Sequence, residues 1–258
     1  MEQRKIKERE HANNLKNMLR RADDAEAAAD NKKFYSITRK SRRHIDNWVA
    51  QRIAPGKKFL DFCCGEGDVS VSLASLGADI TGIDISDVSI KFANEKAQKS
   101  GQENKPLFLV MDGENMAFAA NSFDYIVCTG VLHHLDLKKV YPELARVLKP
   151  GGQVICGEPL AYNPVFQLYR KMTPKLRTEW EANHILTKES IYAAKKNFGK
   201  IDIKFFYLAA LLAVPFRHTP VFKPVLGFFE IVDAVLLKIP GIQWLAWQTI
   251  FVLSDPKE

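Results

Sequence analysis

Cysteine is scarce in this chain, with four residues in 258. None has the paired spacing of a zinc site or a disulfide framework, so no structural metal or bridge is expected. The adjacent Cys63 and Cys64 would form only a strained vicinal bridge, and they read instead as small packed residues. Long apolar runs are missing too. The longest, Phe205 to Phe216, stops at 12 residues and contains Pro215, short of the ~18–20 that cross a bilayer. The first residues, MEQRKIKERE, are too polar for a secretory signal. Internal repeats are absent. These absences together predict a cytoplasmic protein with one large core and additions.

The charge is uneven. Residues 1–58 carry a balance of +8 and the remainder −1, within a total of +7. A basic arm on a near-neutral body reads either as a solvated helical face or as a contact with an anionic surface. The first 54 residues show helical patterning only. One segment runs from about Glu2 to Arg21, followed by the polar, alanine-rich stretch DDAEAAADNKK. A further segment, about Ser36 to Ile53, brings Ile37, His44, Ile45, Trp48 and Val49 near one face. Pro55-Gly56 ends it. The expected organisation is a helical cap over residues 1–56 and a main domain over 57–258, with an insertion at about 163–187 and an apolar lid at about 208–246.

From Lys57 the pattern alternates strand and helix. Strands are expected at Phe59–Cys63, Asp79–Asp84, Leu107–Met111, Asp124–Cys128, Gln153–Cys156, Ile201–Tyr207 and Trp247–Leu253. The helix Asp68–Leu76 ends at Gly77, and Ser86 caps a helix reaching about Lys99. Pro150-Gly151-Gly152 reads as the turn into strand five. This is an α/β fold, Rossmann-like, with a seven-stranded, mostly parallel sheet covered by helices on both faces. In KFLDFCCGEGDVSV an apolar strand breaks at Gly65 and Gly67 and returns to helical spacing. Such a turn lets backbone approach a nucleotide-type ligand.

Four elements in order carry a family resemblance: FLDFCCGEG, GIDIS, MDGENMAFAANSFDYIV and LARVLKPGGQVICGEP. With them the chain resembles the class I S-adenosylmethionine-dependent methyltransferases, and most closely the ubiquinone and menaquinone biosynthesis type. The resemblance implies S-adenosylmethionine as cofactor, and a last strand antiparallel to the rest. It implies cofactor-binding residues Asp61, Cys63, Gly65, Glu66, Gly67, Asp84, Ile85, Asp112, Gly113 and Thr129, with Gly130 beside Thr129. Asp84, at a strand end, is placed to accept ribose hydroxyls, or else caps the following helix. Asp112 would face the adenine amino group, or serve a turn. Asp61 would hold the methionine amino group or the loop itself. Cys63 stands where the family has its first glycine, a tolerable exchange provided the position does not need φ > 0.

Candidate catalytic residues are His134, His133 and Glu158. The histidines are either a base or a structural helix start, and Glu158 would reach the pocket rim to orient an acceptor, or bond backbone. Tyr35 and His44 are further candidates. Apolar and basic residues mix after Glu158, and Phe216, Phe222, Phe228 and Phe229 add apolar area. Both features suggest a hydrophobic or lipid-linked acceptor, with oxygen or carbon as the accepting atom, and peripheral contact with an anionic membrane. A lid and ordinary core is the plainer reading. No aromatic-stacking signature supports nucleic acid. A nicotinamide dehydrogenase using Gly65, Gly67 and Ser70, and a non-catalytic binding protein that kept the fold, are the alternatives.

Overall fold

The computed structural model describes residues 2–20, 33–173 and 177–257. Most of the alanine-rich stretch after Arg21, and Lys175 of the insertion, lie outside the described residues. Helix α1 spans Gln3–Arg20 and α2 spans Arg39–Ala50. The sheet and its crossovers then follow: β1 Lys58–Phe62, α3 Asp68–Ser75, β2 Asp79–Asp84, α4 Asp87–Lys99, β3 Leu107–Val110 and β4 Phe123–Thr129. Helix α5 (Leu137–Val147) leads into β5 (Leu148–Pro159), after which come short helices α6 Pro164–Met172, α7 Glu179–Asn183 and α8 Lys188–Tyr192. Strand β6 (Phe198–Phe206), helix α9 (Phe222–Leu236) and strand β7 (Gln248–Pro256) complete the chain. A 3-10 helix, Ala209–Phe216, precedes α9.

The strand order is β3-β2-β1-β4-β5-β7-β6, with β7 antiparallel to both of its neighbours. That insertion of an antiparallel strand departs from the 3-2-1-4-5-6 order of dinucleotide-binding folds.

Period-two alternation decides which core each strand residue enters. On one face Leu60, Phe62, Ile126, Cys128, Val154, Cys156, Phe251 and Leu253 pack with Val140, Leu144 and Val147 of α5. On the other, Phe59, Val127, Ile155 and Ile250 pack with Leu73 and Ala74 of α3 and with Trp48 and Val49 of α2. Helix α2 therefore covers the sheet itself. Burial on both faces accounts for the continuous apolar runs of the central strands.

Several boundaries differ from the sequence expectation. Strand β5 begins at Leu148, which pairs with Phe123, and the register shifts before Tyr125 pairs with Gln153. The Pro-Gly-Gly turn is thus absorbed into the strand pair. Only glycine fits at position 152, where a Cβ would lie 2.7 Å from the Asp124 carbonyl oxygen. Strand β6 starts earlier than expected and stops before Tyr207, which adopts φ +64°.

Candidate active site

The loop after β1 is a run of left-handed residues: Cys63 at φ +57°, Gly65 at +53° and Gly67 at +73°. Position 63 therefore does need φ > 0, so the condition for a cost-free exchange of glycine for cysteine is not met, and cysteine adopts this conformation at a cost of about 1–2 kcal/mol. Three bonds hold the loop. Cys64 N donates to Ile83 O (2.8 Å), Gly67 N to Cys64 O (2.9 Å), and Gly65 N to Asp84 Oδ2 (3.0 Å). The second Asp84 oxygen accepts from Ser86 N at 2.8 Å. Asp84 thus lashes the loop to the end of β2 while lining the cavity. Gly67 is packed against Phe108, where a Cβ would sit 2.6 Å from the ring.

Asp61 lies beneath this loop, 3% exposed, and accepts from Ser70 Oγ at 2.7 Å. Burial raises its pKa to about 6, against the opposing pull of that hydrogen bond.

Asp112 follows β3. Its Oδ1 accepts from Glu114 N (2.9 Å) and its Oδ2 from Lys5 Nζ of α1 (2.6 Å). Glu114 is buried and holds the same end of α1. Lys5 Nζ lies 3.0 Å from its carboxylate, and Arg4 pairs with it as well. Helix α1 also reaches the far side of the mouth, where Glu8 bonds His134 Nδ1 (3.0 Å) and Arg4 donates to the His134 carbonyl (3.0 Å).

At the end of β4, Thr129 and then Gly130 lead into a 3-10 turn, Leu132–His134. Glu158, at the end of β5, organises that turn. Its Oε1 accepts from Val131 N (2.7 Å) and Leu132 N (2.8 Å), and its Oε2 lies 2.7 Å from His133 Nδ1. The Glu158 side chain is fully buried and does not line the cavity. The expectation that it reaches the pocket rim is corrected: all its bonding goes to a buried turn and a ring.

One cavity of about 940 Å³ opens along the C-terminal ends of β1, β2 and β4, the crevice where strand order reverses and α/β folds bind ligands. Of the sequence candidates, Cys63, Gly65, Asp84, Ile85, Asp112, Gly113, Thr129, His133, His134 and Tyr35 line it. Asp61, Glu66 and Gly67 do not; they act through the loop, and Glu66 points toward Lys96 (3.9 Å). His44 stands apart from it, beside the Phe206 ring.

Sequence reading missed three parts of the wall. Thr38, Arg42 and Ile45 come from α2 and the turn before it, and their helical spacing was the available signal. Arg4, Lys5 and Glu8 come from α1, whose polarity concealed a docked face. Arg170, Arg177 and Glu181 come from the insertion, where Arg170 Nη1 lies 3.4 Å from Glu181 Oε1. The apolar end of the cavity is an aromatic cluster of Phe34, Phe166 and Trp247, with ring centroids 5.5–5.8 Å apart. No residue of 208–246 lines the cavity.

The site has room for a nucleoside-type ligand. Cβ atoms built at Gly65 (φ +53°) and Gly130 (φ +69°) would meet nothing within 4 Å, so backbone faces open cavity on both sides of the crevice. Among the described residues no cluster could hold a metal ion.

Residues 60–156 match the family model described as a methyltransferase domain. The chain resembles the class I S-adenosylmethionine-dependent methyltransferases. It is 33% identical over 130 residues to a demethylmenaquinone methyltransferase of Bacillus cytotoxicus, covering 46% of this chain and 54% of that protein. It is 36% identical over 121 residues to a sterol 24-C-methyltransferase of Gibberella zeae, covering 45% and 32%. Among solved structures, a SAM-dependent methyltransferase of Methanosarcina mazei superposes with TM-score 0.50 at 26% identity, over 61% of this chain and 88% of that one. The chain thus spans about half, or less, of the length of these curated relatives. The matched methyltransferase domain contains the glycine loop, Asp84, Asp112 and the His133–His134 turn; α1, α2 and the insertion lie outside it.

Proposed function

We propose that this protein transfers a methyl group from S-adenosylmethionine to a small, apolar acceptor through an oxygen or carbon atom. The observation that carries the reading is that one continuous cavity joins two chemically different ends. At one end are the Gly65 loop, Asp84 and Asp112, and at the other the Phe34–Phe166–Trp247 wall. Its volume of about 940 Å³ stands at the upper end of the ~300–1,000 Å³ of ordinary ligand sites. That size suits a cofactor and an acceptor together. The relatives are named for a demethylmenaquinone and for a sterol, both apolar acceptors.

The cofactor, when bound, supplies an electrophilic methyl on sulfur. The chain's residues position and deprotonate. Asp84 and Asp112 stand where hydroxyl and amino groups of an adenosine would be read, and Asp61 supports the loop from below. His133 is the proton acceptor we favour. Glu158 on its Nδ1 fixes the tautomer with Nδ1–H toward the carboxylate, which leaves Nε2 basic. His134 is committed to Glu8 at the mouth.

Calorimetry should show binding of S-adenosylhomocysteine and none of NAD. The reverse would favour a dehydrogenase, and binding of neither would reject the cofactor assignment. With a methyl-labelled donor and a cell extract, label should enter an organic-phase product. Label confined to the aqueous phase would refute an apolar acceptor.

A further inference from the structure

Helix α9 packs Leu226, Phe222, Val225 and Phe229 against the core, yet it also turns its acids inward and leaves an apolar stripe outside. Its carboxylates face the protein: Glu230 is 5% exposed and pairs with Arg39 and Lys40, with the Lys40 ammonium at 3.3 Å. Asp233, 6% exposed, accepts from the backbone N–H groups of Leu208, Ala209 and Ala210, capping the preceding 3-10 helix. With Leu226, these residues form the buried stripe at i, i+4, i+7. The opposite stripe, Pro224, Phe228, Ile231 and Val235, is exposed. Phe228 is 62%, Ile231 70% and Val235 63% exposed. An ordinary surface helix has the reverse arrangement, with apolar residues inward and charges outward.

The insertion helix α6 repeats the pattern on a smaller scale. Val165, Leu168 and Met172 are 50%, 60% and 73% exposed at i, i+3, i+7. On their inward sides, Phe166 of α6 and Leu226 of α9 enter the same aromatic cluster with Phe34 and Trp247. Phe166 also lines the cavity. The two exposed stripes therefore flank the cluster that forms the apolar end of the site.

We infer that the outward stripes of α9 and α6 form a docking face for an anionic lipid bilayer. Charge selects this occupant. Across residues 205–246 the only acids are Glu230 and Asp233, both turned inward, whereas Lys223 and Lys238 are exposed. Lys171 adds a further exposed cation on α6. A face with apolar residues and cations only is complementary to anionic headgroups over an acyl layer. Pairing it with the same face of a second copy would set cation against cation. No helix among the described residues is long and apolar enough to cross a membrane, so the contact is peripheral. The inference deepens the apolar-acceptor reading by naming the surface through which such an acceptor would be reached.

The test is co-sedimentation of the full chain with phosphatidylcholine vesicles, with and without phosphatidylglycerol. The chain should bind the anionic vesicles, and raising salt from about 0.1 to about 0.5 M should weaken binding. The variant Phe228→Ser/Ile231→Ser/Val235→Ser should lose at least about tenfold in partitioning. Lys223→Glu/Lys238→Glu should lose the preference for anionic vesicles. Far-ultraviolet circular dichroism checks folding of each variant. Equal partitioning by the folded triple variant would overturn the proposal. So would a wild-type dimer that ignores vesicles and becomes monomeric in that variant. No cofactor is present in these experiments, so their outcome is independent of whether S-adenosylhomocysteine binds.

Discussion

Lys5 Nζ of the amino-terminal helix lies 2.6 Å from Asp112 Oδ2, on a carboxylate that also lines the proposed cofactor cavity. The same ammonium is 3.0 Å from the buried Glu114. Helix α1 is thereby fastened across the crevice by charges that an adenosine would also address. Lys5→Ala should tighten binding of S-adenosylhomocysteine by about fivefold, the factor corresponding to ~1 kcal/mol for a partly exposed ion pair. Calorimetry at low salt reads this directly, and weaker binding in the variant would show that Lys5 instead supports the site.

The same end of α1 is also fastened by a titratable pair, Glu8 and His134. Burial pulls the His134 pKa down, but the Glu8 hydrogen bond and nearby carboxylates outweigh it and leave the value raised. A raised histidine contributes stability that is fully present below its unfolded pKa and is lost as pH rises through the folded value. Comparing the wild-type chain with His134→Asn, the melting temperature difference should be largest near about pH 5.5 and should shrink by about pH 8.5. A difference independent of pH would mean that packing, not charge, holds the contact.

Glu158 accepts from two backbone amides and orients one imidazole. Glu158→Gln retains an oxygen for the amides but presents an NH₂ to His133 Nδ1, which favours the opposite tautomer. Turnover should fall by about 100-fold with cofactor affinity unchanged. Glu158→Ala strands three donors, two of them on buried residues, and should cost about 3 kcal/mol of stability or more. Single-turnover rates and denaturant titrations separate the two effects, and a Gln variant with full turnover would remove His133 as the base.

Asp61 has a folded pKa raised to about 6 by burial, above its ordinary 3.8. The native state therefore binds more protons between those values, so stability falls as pH rises from about 4 to about 6. The loss amounts to about 3 kcal/mol and then stays constant. Asp61→Asn, which can still bond Ser70, should flatten that slope. An unchanged slope in pH-dependent urea melts would show that the carboxylate is ionised in the folded protein without cost.

Cys63 occupies a left-handed conformation at φ +57°. Cys63→Gly should be at least as stable as the parent, because relief of about 1 kcal/mol of strain offsets the greater freedom of the unfolded chain. Cys63→Val, β-branched at the same φ, should lose about 2 kcal/mol or more. Thermal melts of the pair test this, and a stable valine variant would mean that the loop relaxes out of the left-handed region.

Much of the sheet was legible because its signals are local. The capping hydroxyl of Ser86, which accepts from Ser89 N, and the apolar positions Ile90, Ala93 and Ala97 place α4 without reference to anything distant. Strand β2 falls at the expected residues for the same reason. Strand β5 was less legible, since its first residues are held by pairing with Phe123 across a register shift, a contact that no local pattern encodes.

By itself the sequence determined the alternation of strand and helix, the glycine loop and the two strand-end acids, Asp84 and Asp112. Each depends on residue type and short spacing. Only the tertiary structure decided what those groups bond. It buried Glu158 under His133, took Asp61 out of the cavity, gave Cys63 a glycine's conformation and laid α1 across the crevice. It also turned α9 so that its acids face inward and its apolar stripe faces out, because Arg39 and Lys40, far away in sequence, and three backbone amides of the preceding 3-10 segment pair with those charges.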